Sequence, residues 1–114
     1  MKEIKFRYVF KRKDDGHIYM IIASIDVIEE GNEHLLAMLK NEKWKMIGKD
    51  LYIGLKDKNR KEIYEGDIVE GIWINVYTGK TKKKRMVIKD IRAIPDYVEC
   101  KIIGNIYENP ELLR

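Results

Sequence analysis

The sequence predicts an all-β protein with a minor helical part, built as a small barrel or as coiled antiparallel sheets. The 114 residues include 18 isoleucines but only three alanines, and β-branched residues favour strands whereas alanine is the best helix former. Several segments alternate apolar and polar residues with a period of two, as half-buried strands do. Turn residues separate these segments at the short spacing that is typical of small β folds.

The first two predicted strands form a hairpin. The strand at residues 3–11 has one apolar face and one basic face, with Ile4, Phe6, Tyr8 and Phe10 on the first and Lys5, Arg7 and Lys11 on the second. Asp14-Asp15-Gly16 supplies the turn between the strands. The second strand, at residues 17–28, is apolar on both faces around Ile21 and Ile22, so we expect it to be central in its sheet.

One helix is predicted, at residues 32–44. Asn32 is a suitable N-cap, Glu33 favours the positive end of the helix dipole, and three leucines follow at positions 35, 36 and 39. Because the segment is short, an extended conformation is the alternative.

The second half of the chain predicts short strands and turns. Its strands are residues 51–55, 68–77, 85–94 and 97–103, and its turns are residues 56–60, 65–67, Thr78-Gly79 and Pro95-Asp96. Regular structure ends at Glu108-Asn109-Pro110, because proline disfavours helical geometry in the residue before it.

Composition points to a cytoplasmic protein without a membrane segment. No apolar stretch approaches the roughly 18 residues that span a bilayer, and the charged N-terminus is unlike a signal peptide. A single cysteine excludes an internal disulfide and suits a reducing compartment. The net charge of +4 permits nucleic-acid binding without arguing for it.

Residues for catalysis or metal binding are scarce. Ser24 and Cys100 are the only serine and cysteine, and the two histidines, His17 and His34, lack metal-ligand spacing. Pro95-Asp96 and Glu99-Cys100-Lys101 match a nuclease motif only superficially, since two residues separate the elements and Asp96 belongs to a turn. We therefore expect no enzyme, no metal and no cofactor.

The strongest polar feature is a basic segment at the predicted hairpin. It comprises Lys80, Lys82, Lys83, Lys84 and Arg85. Trp73 and Tyr77, on one face of the neighbouring predicted strand, are available to stack on bases. This arrangement favours a nucleic-acid site. The alternative is a solvated loop whose lysines prevent a strand edge from pairing with other chains.

Three blocks of sequence resemble the YopX family of phage and prophage proteins. They are residues 2–7 (KEIKFR), residues 54–69 (GLKDKNRKEIYEGDIV) and residues 103–113 (IGNIYENPELL). The positions that carry the match are Gly54, Asp57, Asn59, Tyr64, Gly66, Asp67, Gly104, Asn105, Tyr107 and Pro110. Turn chemistry accounts for most of them, so we interpret them as structural residues.

The resemblance implies several coiled sheets that contain an SH3-like barrel. It also implies a gene in a phage of low-GC Gram-positive bacteria or in an integrated prophage, so the expected location is the cytoplasm of a bacterial host cell. Over residues 1–114 it predicts one domain, with an N-terminal β-hairpin lobe at about 1–50 and the barrel portion at about 51–114. No activity is established for the family, so it supplies no functional residues. The sequence departs from the family at Arg60, where glycine is usual, and at Ile53, where threonine is usual.

The sequence thus predicts a non-enzymatic phage accessory protein that acts as a protein-interaction or self-assembling module. Small β folds with exposed edges commonly assemble, so the expected partner is another protein or a second copy of this chain. The alternative is a nucleic-acid-binding module that uses the basic segment with Trp73 and Tyr77.

Overall fold

The computed structural model of the chain describes residues 3–26, 31–89 and 97–113, apart from the side chains at positions 73, 97 and 98. Contacts divide the chain into two compact units, Met1–Tyr52 and Ile53–Arg114. Within the described ranges, no helix has the length and apolar character needed to cross a lipid bilayer.

The architecture is all-β with a minor helical part, as predicted. The strands are β1 Lys5–Arg12, β2 Ile18–Ser24, β3 Trp44–Lys56, β4 Glu62–Tyr64, β5 Asp67–Ile74, β6 Thr81–Val87 and β7 Tyr97–Asn105. Helix α1 spans Glu33–Lys40, and a 3-10 turn spans Pro110–Leu113. The antiparallel sheets have the orders β2-β1-β3-β4 and β6-β5-β7. Neither order closes on itself, so the SH3-like barrel that the resemblance implied is not formed by the described residues.

The predicted N-terminal hairpin is present, but its second strand is not central. β1 pairs with β2 from Lys5–Ser24 to Lys11–Ile18. The other side of β1 pairs with β3 from Phe6–Leu51 to Arg12–Trp44. β1 is therefore the interior strand, and β2 lies at the edge of its sheet. An apolar strand was expected to have neighbours on both sides, and this prediction was wrong.

The core of unit Met1–Tyr52 lies on one face of the hairpin. Its buried residues are Tyr8, Phe10, Ile21, Ala23 and Leu35, with Phe6, Met38 and Trp44 packed against them. Helix α1 covers this face. As predicted, Asn32 caps it, and its side chain accepts a hydrogen bond from the Leu35 amide at 2.9 Å. The helix ends at Lys40, earlier than predicted, because Asn41 adopts an extended conformation and its Oδ1 accepts the amide hydrogen of Lys43 at 2.9 Å.

The opposite face of β1 is not simply a solvated basic face. Arg7 is only 6% exposed, and its Nη2 lies 3.1 Å from Oδ2 of Asp50, which is 7% exposed. Val9, on the same face, is fully buried. The alternation of β1 predicted the positions of its apolar residues but not this buried ion pair, because Asp50 is 43 residues away in sequence.

The core of unit Ile53–Arg114 surrounds β5. It consists of Ile53, Ile63, Val69, Ile88 and Cys100, with Met86 and Ile102 packed against it. Val69 faces Met86 on one side and Ile102 on the other. Two predicted limits change: β5 ends at Ile74 instead of residue 77, and β6 begins at Thr81, so most of the basic segment lies in a strand. The predicted residues 90–94 and the Pro95-Asp96 turn lie outside the described residues.

Candidate functional site

The turn at Asp57, in the second family-like block, is held by one carboxylate. Its Oδ1 accepts hydrogen bonds from the amides of Asn59 at 2.8 Å and Lys61 at 2.9 Å. Its Oδ2 accepts one from the amide of Ile102 in β7 at 3.0 Å. Burial alone would raise the pKa of Asp57, but these three hydrogen bonds outweigh it and lower the pKa below its ordinary value. Asp57 therefore serves as a structural clamp between the turn and β7.

A second carboxylate organises the tight turn before β5. Oδ2 of Asp67 accepts the amide hydrogen of Tyr64 at 2.8 Å, and Asp67 is only 3% exposed. Gly66 adopts φ 86°, a left-handed conformation that glycine takes without strain. The buried Tyr64 donates its hydroxyl hydrogen to Oε1 of Glu62 at 3.2 Å. All of these contacts stabilise the turn.

The third family-like block closes the end of β7. Oδ1 of Asn105 accepts hydrogen bonds from the amides of Tyr107 at 3.0 Å and Glu108 at 2.9 Å. A Cβ at Gly104 would lie 2.7 Å from Oδ1 of Asn109, so this approach requires glycine. Pro110 then begins the 3-10 turn. The family-like positions thus shape turns and offer no convergent reactive groups.

The basic segment is divided between the two faces of β6. Lys83 and Arg85 both lie near Glu70 of β5, with Nζ 3.4 Å from Oε1 and Nε 3.3 Å from Oε2. The hydrogen bond from Arg85 is the main cause that lowers the pKa of Glu70. Lys82 and Lys84 have the opposite parity along the strand and lie on the other face. The segment therefore does not form a single continuous row of cations.

Tyr77 does not share a strand with Trp73. It lies in the turn after β5, 95% exposed, and its amide donates a hydrogen bond to Oδ1 of Asn75 at 2.9 Å. Lys80 lies at the end of the same turn, and its carbonyl accepts from the amide of Asn75. The side chain of Trp73 lies outside the described residues. The sequence pattern placed Trp73 and Tyr77 on one face of a single strand. In the structure Tyr77 lies outside that strand, so the two residues do not form the predicted stacking pair there.

The few reactive side chains occupy structural positions. Cys100 is buried in the core, and burial, with a smaller contribution from the Asp57 charge, raises the pKa of its thiol. The ring of His34 lies 2.9 Å from the hydroxyl of Tyr19, and the ring of His17 packs edge-on to Trp44. In the described ranges, no group of three histidine, cysteine or acidic residues could hold a metal ion. Every buried side-chain nitrogen or oxygen there also has a hydrogen-bond partner.

The edge of β2 is a feature that sequence reasoning missed. The amide of Ile25 donates to the carbonyl of Ile4, and the amide of Arg12 donates to the carbonyl of His17. In an antiparallel ladder every second residue pair is hydrogen-bonded. These two bonds therefore determine which residues of β2 bond to β1 and which direct their backbone groups away from it. Residues 19, 21 and 23 bond to β1. The backbone groups of residues 18, 20 and 22 consequently point away from β1, along the edge of the sheet.

This edge differs in chemistry from the edge at β6. The seven residues of β2, IYMIIAS, include no charged side chain, whereas four of the seven in β6, TKKKRMV, are basic. Ile22 is 54% exposed and Tyr19 is 39% exposed. Exposed strand edges are normally protected by charge, by proline or by a cover. In the sequence, the one sign of this edge was that β2 carries no charged residue. We interpreted the lack of charge as evidence that β2 is a central strand.

Comparison with known protein families gives a match over most of the sequence. The family model described as YopX protein matches residues 5–114, which is nearly the whole chain. No curated protein sequence matches the chain.

Proposed function

The chain belongs to the YopX family, and from this premise we propose that it is a non-enzymatic protein-interaction module whose β2 edge binds an extended protein strand. It is an accessory protein of a phage or prophage and acts in the cytoplasm of the bacterial host. The observation that supports the proposal is the uncharged, partly exposed edge of β2, with backbone donors and acceptors directed away from β1.

Strand addition uses the groups that this edge presents. Main-chain hydrogen bonds give such complexes their affinity, and alternate side chains give them specificity. Residues 18, 20 and 22 offer the main-chain groups, and the same residues place apolar side chains on one face of the sheet. No charge along β2 would have to be desolvated on binding, which removes a large cost. The edge is therefore suited to a protein strand of apolar character.

A synthetic strand peptide tests this proposal. The probe is an uncharged heptapeptide of alternating valine and threonine, and binding is followed by amide chemical shifts in the labelled chain. We expect shifts centred on Met20 and Ile22, and a loss of affinity of about tenfold or more in Ile22→Lys. The same peptide with an N-methyl group on every residue is the control, because it lacks backbone donors on both of its edges. Shifts centred elsewhere, or equal binding by the methylated peptide, would contradict the proposal.

A nucleic-acid-binding module is the second candidate function. The full exposure of Tyr77 beside a strand that carries four basic residues favours it. Retention of single-stranded oligothymidine should then fall steeply between about 50 and 200 mM salt. Replacing Lys82 and Lys84 by serine should weaken retention and reduce the salt slope. Replacing Lys40 and Lys43 by serine is the matched control, because it removes the same charge elsewhere. Equal retention by both double variants would exclude this function.

A further inference from the structure

We infer that the strand received by β2 is β2 of a second copy of this chain, paired antiparallel about a twofold axis that passes beside Ile21. The inference rests on the proposed function and specifies its partner. It joins two four-stranded sheets into one continuous eight-stranded sheet, since β2 is the edge strand of each.

The phase of the hairpin restricts the register of such a pair. Only residues 18, 20 and 22 are known to direct backbone groups outward, so hydrogen-bonded pairs across the axis must join these positions. With the axis at Ile21, Met20 of each chain faces Ile22 of the other. Each of these two pairs exchanges two bonds, which gives about four central backbone hydrogen bonds. The axis at Ile21 also lets the full length of β2 overlap with its copy.

Side-chain sizes agree with the same register. Tyr19 of each copy lies opposite Ala23 of the other, so the largest side chain of the strand faces its smallest. Ile21 lies beside its own copy at the axis. Cross-strand neighbours of complementary size pack well on a pleated surface. The pairing would cover Ile22 and Tyr19, the two most exposed apolar residues of the strand.

Charge favours β2 over the basic edge strand β6 for self-pairing. In an isologous strand pair residue i faces residue j and j faces i, so the residues near the axis face their own copies or close neighbours. In β6 the run Lys82–Arg85 would bring lysines and arginines face to face, which is destabilising. β2 brings no like charges together, because it carries none. A second copy is therefore a suitable occupant for β2 and an unsuitable one for β6.

Solution mass is the first test. Light scattering on the full chain should give twice the monomer mass of 13.6 kDa at high concentration. The variant Ile22→Lys should give the monomer mass, because its lysines face the apolar partner across the axis. Val76→Lys is the matched control, since Val76 is an 84% exposed apolar residue far from β2 in sequence and should leave the dimer intact. A dimer that persists in Ile22→Lys would overturn the inference.

Cross-linking tests the register. In Met20→Cys/Ile22→Cys, oxidation should yield a covalent dimer, because the two positions face each other at about 5.5 Å between Cα atoms, within the range for a disulfide. Each single variant should cross-link much less. The native thiol of Cys100 is buried and does not compete. Equal cross-linking by either single variant would place the axis elsewhere and overturn the inference.

The two proposals fail in different ways. A chain that stays monomeric at every concentration but binds the valine–threonine peptide at β2 would overturn self-pairing and leave the interaction module intact. A monomeric chain that does not bind the peptide would overturn both.

Discussion

At the scale of single residues, Asp57 connects the turn at residues 57–61 to β7. Its two carboxylate oxygens accept three backbone amides, one of them from β7. In Asp57→Asn, one oxygen becomes an NH2 group that confronts an amide hydrogen. Leaving a buried donor unsatisfied costs about 1–3 kcal/mol, so we expect the free energy of unfolding in urea to fall by that amount at pH 7.

The same substitution should have a pH signature. The folded pKa of Asp57 is lowered, so its stabilisation is fully present above the unfolded pKa of about 3.9 and is lost as pH falls through the folded value. The difference in unfolding free energy between the two proteins should therefore shrink as pH drops below about 4. The exposed Asp26→Asn is the control and should cost little at either pH. A constant difference across this range would mean that the carboxylate is not the stabilising form.

Arg60 is a residue that the structure marks as strained. It adopts φ 65°, and among the described residues it is the one non-glycine position with a positive φ. A left-handed conformation costs a side-chain-bearing residue about 1–2 kcal/mol, partly offset by the greater unfolded entropy of glycine. Arg60→Gly should thus raise the unfolding free energy by about 0.5–1 kcal/mol.

Thermal unfolding followed by circular dichroism measures this gain. Asn59→Gly, one residue earlier in the same turn, is the control and should lower stability, because its φ is not positive. The sequence located this turn and the unusual arginine in it. The sequence did not show that Arg60, which stands where the family usually has glycine, keeps the left-handed conformation.

At the scale of elements, we expect the lysines of β6 to act against unwanted pairing. β6 is an edge strand whose seven residues include four basic ones. Replacing Lys82 and Lys84 by threonine keeps strand propensity and removes two charges from the edge. We expect this double variant to aggregate faster on mild heating, as measured by light scattering. The arginine double variant keeps the charge and should behave as the wild type; equal aggregation of all three would refute the role.

The elements also show what local pattern can predict. The β1–β2 hairpin and the Asn32 cap follow from alternation, turn chemistry and capping, all of which act over a few residues. The burial of Arg7 depends on Asp50, and the edge position of β2 depends on which strand pairs with β1. Both features depend on residues that are distant in the sequence, and alternation within one strand carries no information about such pairings. Composition led to a wrong prediction for β6. Its lysines suggested a solvated loop, but an edge strand also tolerates lysines because one of its sides faces solvent.

At the scale of the whole molecule, the all-β class was predictable, while the closed barrel implied by the family resemblance is not formed by the described residues. Isoleucine excess and scarce alanine determine that strands form, but barrel closure depends on pairing between the first and last strands of a sheet. An open sheet keeps its edges. The protein-interaction module that the sequence predicts therefore gains a candidate surface, the apolar edge of β2, which became visible only with the strand order.

Self-pairing through β2 makes the stability of the whole chain depend on its concentration. One strand pair forms a small interface, and ligands that bind only the folded state stabilise it by mass action. Above the dissociation constant, a hundredfold increase in concentration stabilises a dimer by about 2.7 kcal/mol, or half that per chain. For a domain of this size the melting temperature should rise by about 5 °C. Calorimetry on the wild type should show this rise, and Ile22→Lys should melt at a concentration-independent temperature. A wild type whose melting temperature is equally insensitive would show that the folded chain gains no stability from a second copy.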